Sequence, residues 1–140
     1  MPVSFRIFPN RGLAFLRFDG HLDLEDMLAM LKAYKRHPDR RPGQKQLIDL
    51  GQATGFDRDY AKIFAIRARQ IDLFASGTVE TLMVHYAPTR IARDISLTVF
   101  GPQAPIKGVI PLLQDTEAYA LSLLGQPESS FEDLFALADR

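Results

Sequence analysis

From residue 24 onward the chain switches repeatedly between a helical hydrophobic period and short β-rich runs, and no other feature restricts its fold as strongly. Leu24, Met27, Leu28, Leu31 and Tyr34 recur at spacings of three and four, with Asp23 placed as an N-cap and His37-Pro38 as a stop. Residues 45 to 50 read as a short strand ending at Gly51. A second helix is predicted from Asp57 to about residue 75, with Tyr60, Ile63, Phe64, Arg67, Ile71 and Phe74 on a broad face and Gly77 closing it. Residues 79 to 86 are rich in β formers and stop before Pro88. Thr89 then caps a helix that sends Ala92, Ile95, Ser96 and Val99 to the core and ends at Gly101-Pro102. A fifth strand covers residues 106 to 113. Asp115 or Thr116 starts a last core helix through Leu124, where Gly125 supplies a left-handed residue.

Ahead of this series, residues 3 to 8 alternate apolar and polar, and residues 12 to 18 are apolar-rich. Pro9-Asn10-Arg11-Gly12 between them is a turn signal, so the two runs form a hairpin. The resulting order, β-β-α-β-α-β-α-β-α, implies an α/β fold: a mostly parallel five-stranded sheet with an antiparallel first strand and right-handed crossovers. One domain over residues 1 to 140 is expected, with a core from 3 to 125 and an amphipathic helical tail from 129 to 138. In that tail Phe131, Leu134, Phe135 and Ala138 share one stripe. The stripe either packs on the domain's own sheet and helices or forms a docking surface.

Composition narrows the function by exclusion. Lys plus Arg and Asp plus Glu both number 17, so no global field draws the chain to nucleic acid or to an anionic membrane. The absence of cysteine removes disulfides, thiolate catalysis and thiolate metal sites. No apolar run approaches the ~20 residues needed to cross a bilayer, and the first residues lack a signal-peptide pattern, so a cytoplasmic location is expected. The Gly51 to Gly55 stretch has two glycines and no following lysine, which does not make a phosphate loop. No serine sits in a nucleophile elbow, and His21, His37 and His85 lack ligand spacing. No catalytic residue, metal site or cofactor is assigned.

Two charged features remain. Ligands of open parallel sheets bind beyond the carboxyl ends of the strands, which would gather Asp19, His21, His85, Tyr86 and Arg90, with residues 49 to 57, into a polar rim. The basic loop from 32 to 45 holds Lys32, Lys35, Arg36, Arg40, Arg41 and Lys45. It reads as a solvated helix end whose cations meet the helix dipole, or as a patch for an acidic partner.

The stretch LIDLGQATGFDRDYAKIF, residues 47 to 64, and the order of elements around it resemble the SpoIIAA-like or STAS domain of anti-sigma-factor antagonists. The run from AYKRHPDRRPGQKQLIDL onward is similar to that of stand-alone bacterial SpoIIAA-like proteins. In signalling members of that family, a strand ending in Asp-Leu leads to a turn at the start of the second helix. A kinase partner phosphorylates a serine there. The resemblance lays Asp49-Leu50 on the strand end and Asp57, Arg58, Asp59 and Tyr60 on the turn, with Arg58 at the serine's place. Arginine neither accepts phosphate nor reproduces its charge, and Thr54 is the hydroxyl nearby.

The resemblance implies a non-enzymatic regulatory or protein-interaction domain, with a kinase or an anti-sigma-like regulator as partner. Asp57 is expected to cap the second helix, and Arg58, Asp59 and Tyr60 to mark the contact surface. The alternative is a small-molecule or lipid sensor with a pocket at the strand rim, or beneath helices two and three, where Phe64, Ile71, Phe74 and Phe100 would line a cavity. A homodimer is a further expectation, because the first strand is a sheet edge.

Overall fold

The computed structural model describes residues 3 to 74, 79 to 100 and 106 to 138. Five strands, β1 (Val3–Phe8), β2 (Leu13–Leu22), β3 (Lys45–Phe56), β4 (Thr81–Tyr86) and β5 (Val109–Gln114), form one sheet in the order β1-β2-β3-β4-β5. β1 is antiparallel to β2 and the other pairs are parallel. The helices are α1 (Leu24–Arg36), α2 (Tyr60–Phe74), α3 (Arg90–Ile95), α4 (Glu117–Leu123) and α5 (Phe131–Leu137). α3 widens into a π-helical turn, Ser96–Phe100. The predicted fold class is the observed one. Gly77 and Gly101-Pro102, expected as helix stops, lie outside the described residues.

Because each parallel strand is added beside its predecessor in the same direction, right-handed crossovers place α1, α2 and α3 on one face of the sheet. Leu16, Phe18, Ile48, Leu50 and Met83 meet that layer through Met27, Ile63, Ile66, Ile95 and Val99. The opposite face, with Phe15, Leu47 and Val84, would then meet water. α4 and α5 cover it through Leu121, Leu124, Phe131 and Leu134. Phe131 sets its ring edge against Phe15 at 5.2 Å and Tyr86 at 5.1 Å. The tail stripe therefore packs on this domain's own sheet.

Local signals set most helix starts. Asp23 Oδ1 accepts the Glu25 N–H at 2.8 Å, Thr89 Oγ1 that of Ala92 at 3.0 Å, and Ser130 Oγ that of Asp133 at 3.1 Å. At the first core helix after β5 the cap is Thr116, whose Oγ1 accepts from Tyr119, not Asp115.

Two strands outrun their expected ends. β2 continues past residue 18 to Leu22 and β3 past Gly51 to Phe56, pairing with each other beyond the end of β4. Gly51, expected as a stop, is a close approach, and Gly55 is another. A Cβ on Gly51 would lie 2.8 Å from the Tyr86 ring, and one on Gly55 3.1 Å from His21 Nδ1. Gly20, at φ 72°, carries the irregular register that twists this two-stranded arm.

Candidate interaction surface

The arm delivers its chain to the start of α2 later than expected, and the cap changes with it. Asp59 Oδ1 accepts the Lys62 N–H at 3.3 Å, whereas Asp57 stands 2.9 Å from His21 Nε2. Asp57 is thus not the N-cap. Its partner follows from register, since His21 pairs with Gly55 and Leu22 with Phe56 across the arm. Both groups of the His21 and Asp57 pair are exposed.

Arg58 crosses to α3. Its Nη2 donates to Asp94 Oδ2 at 2.5 Å while its guanidinium lies 4.6 Å from the centre of the Phe56 ring. The hydrogen bond that Arg58 donates to Asp94, then the charge of that carboxylate, raises the Arg58 pKa. Lys62 pairs with Glu25 of α1 at 3.1 Å. The start of α2 is therefore tied to both neighbouring helices by ion pairs at its own surface.

The face of α2 expected to be buried is rotated. Ile63, Ile66, Gln70, Leu73 and Phe74 point inward, while Tyr60 is 57% and Phe64 71% exposed, and Ile71 is also exposed. Arg67 Nη1 donates to the carbonyl of Phe100, which brings that side of α2 against the end of α3. One turn back along each helix stand Phe64 and Leu97, the latter 44% exposed. Tyr60 interacts with Arg58, and Phe64 follows it one turn along α2, so exposed aromatic residues share the start of this helix with the ion pair of Arg58 and Asp94. Thr54 is exposed on the arm.

The predicted ligand rim assembles only in part: His21 meets Asp57, and Asp49 and Tyr86 border one groove, but His85 is withdrawn from it. β4 alternation sends Met83 and His85 toward α3 and Tyr86 to the other face. His85 is fully buried, with Nδ1 2.6 Å from Ser96 Oγ, Nε2 without a hydrogen-bond partner among the described residues, and its ring centroid 4.8 Å from that of Phe100. Burial pushes its pKa down to about 3, so the imidazole is neutral. Asp19 lies within β2 opposite Gln52, and Arg90 is an exposed residue at the start of α3.

A polar groove on the tail-covered face joins Asp49 and Tyr86 of the expected rim to Arg17 and the tail, which were not expected there. Arg17 Nε donates to buried Asp49 Oδ2 at 2.8 Å, and Asp49 Oδ1 accepts the Gly51 N–H at 2.9 Å. Arg17, Asp49, Tyr86, Glu117, Glu132 and Phe135 border about 410 Å³ there. Desolvation, then the charges of Glu117 and Asp49, raises the Tyr86 pKa. The available signal was a charged residue in each of two apolar strands, at positions that fall opposite each other.

Beneath α2 and α3, the crevice bordered by Gln70, Phe74, Met83, Phe100, Ile106 and Val109 holds about 10 Å³. That is room for about one water and not for an acyl chain. Phe64 and Ile71, expected in that lining, face outward. In the basic loop, Arg40 donates to the Leu73 carbonyl at 2.5 Å and Lys45 to that of Leu124 at 2.9 Å, so these cations close the ends of α2 and α4. Among the described residues, no cluster of three His, Asp or Glu is placed to hold a metal, and no helix is long and apolar enough to cross a membrane.

No family model and no curated protein matches the chain. Among solved structures it is similar to the anti-sigma factor antagonist SpoIIAA in its unphosphorylated form. The TM-score is 0.52 at 16% identity, over 88% of this chain and 97% of that one. The SpoIIAA-like fold implied by the sequence resemblance is the fold of this chain.

Proposed function

We propose that this protein is a non-enzymatic regulatory module that binds a partner protein through the start of α2 and the adjoining α3. Asp57, Arg58, Asp59 and Tyr60 form its charged margin, and Phe64 with Leu97 its apolar centre. The observation that carries this reading is the exposure of Tyr60 and Phe64 on the first turns of α2, with Tyr60 against Arg58, which pairs with Asp94. Exposed aromatic residues next to oriented charge are the composition of binding hot spots. The fold adds support, because SpoIIAA is an anti-sigma factor antagonist. A kinase or an anti-sigma-like regulator is the partner class that follows.

The reading also gives Arg58 its role. With Asp94 already on its guanidinium, the helix start presents a neutralised pair where signalling relatives take up phosphate. Recognition then runs without a phosphate switch at this position.

The test is quantitative affinity capture from the native host, using the wild-type chain, Phe64→Ala and Arg58→Glu as baits. A companion that binds the wild type and falls by about tenfold or more with both variants is expected, the size of a hot-spot loss. A companion retained equally by all three baits would exclude this surface. A stoichiometric small molecule in native mass spectra would replace the reading with the sensor.

A further inference from the structure

The two outer strands of the sheet are unequal. β5 carries Pro111 at its middle, opposite Met83, and a proline removes an N–H from the outer row that an added strand would use. β1 has neither proline nor bulge, and its register with β2 is continuous from Val3 to Phe8. Its outer edge is open to strand addition among the described residues.

Beside that edge lies an apolar groove of about 460 Å³, bordered by Val3, Phe5, Asp26, Ala29, Met30 and Ala33. α1 runs along β1, since the Phe5 ring meets Tyr34 at 5.8 Å and His37 at 5.7 Å while Val3 lies near Asp26 and Ala29. Asp26, Ala29, Ala33 and Arg36 are all exposed and, at spacings of three, four and three, share one stripe of the helix. Neither Asp26 nor Arg36 has a side-chain partner among the described residues.

This stripe is its own complement. A two-fold axis at the level of Leu31 sets Ala29 of one copy against Ala33 of the other and Asp26 against Arg36. The same axis, perpendicular to the sheet, runs two β1 strands antiparallel, as strand addition requires. Alanines at the crossing let two helices come within the usual ~8–10 Å.

We propose that the chain forms a two-fold dimer by pairing of its β1 edges, with the α1 helices of the two copies meeting at Ala29 and Ala33. Asp26 of each copy pairs with Arg36 of the other. The sheet becomes continuous across ten strands, twice the five of one chain. α1 lies between this edge and α2, so the surface assigned to the protein partner stays free. The inference uses different residues from that assignment.

Sedimentation equilibrium of the full chain from about 1 to about 200 µM spans the affinities of ordinary interfaces. The wild type is expected to reach twice its 15.8 kDa mass. Asp26→Arg and Arg36→Glu each place like charges across the axis and weaken dimerisation by about tenfold or more, and the double variant restores it to within about threefold. Circular dichroism melts confirm that each variant is folded. A wild type monomeric throughout, a dimer unmoved by both single variants, or a loss that the double variant fails to restore would each overturn the proposal. Partner capture with the double variant is expected to match the wild type, which separates this inference from the proposed function.

Discussion

His85 Nδ1 lies 2.6 Å from Ser96 Oγ inside the core, while the other ring nitrogen faces no hydrogen-bond partner among the described residues. A charged imidazolium at this place would have lost its water and gained no counter-ion, so the folded chain holds His85 neutral down to about pH 3. In the unfolded chain it titrates near the ordinary histidine value of about 6.5. The unfolded state therefore binds the extra proton between these two values. Stability is full above about pH 6.5 and falls as the pH drops below it, by about 1.4 kcal/mol per unit from this group. Urea unfolding at pH 7, 6 and 5 measures the slope. His85→Phe is expected to flatten it, even though the change leaves the Ser96 hydroxyl unpartnered.

Gly51 has a different constraint from the turn its sequence position suggests. Its φ is not in the left-handed region, but a Cβ there would meet the Tyr86 ring at 2.8 Å and Asp49 Oδ1 at 3.1 Å. Tyr86 is held in turn against Phe131. Gly51→Ala is expected to cost about 1 to 3 kcal/mol by overpacking. Adding Tyr86→Ala is expected to remove most of the clash, giving a non-additive cycle in chemical denaturation.

The tail helix is part of the fold. Leu134 is fully buried against the sheet face that no crossover helix reaches. Leu134→Ala is expected to destabilise the domain by about 2 to 5 kcal/mol, in line with other buried leucines. The surface Leu137→Ala, at 40% exposure, is expected to change stability by less than about 1 kcal/mol. Equal effects from the two substitutions in a thermal melt would mean that α5 does not pack as described.

Helix caps were legible where the signal is local. Asp23, Thr89, Thr116 and Ser130 each bond an N–H two or three residues ahead, a geometry that needs no distant partner. The start of α2 was not, because it depends on how far β3 runs. That length is set by pairing with β2, from Asp19 opposite Gln52 to Leu22 opposite Phe56. Local sequence points to Asp57, and Asp59 becomes the cap only once the arm is built.

The sequence alone determined the order of strands and helices and the sheet's parallel character. Periodicity, caps and residue chemistry act over a few positions, and crossover handedness converts that order into topology. The tertiary structure decided which side of α2 is buried. Apolar residues surround that helix too broadly for its period to choose, and only packing against α1 and the sheet leaves Tyr60 and Phe64 outside. It also decided that His85 is a core residue and that Arg17 meets Asp49. These pairings join residues far apart in the chain, so their positions follow from sheet register and not from local sequence.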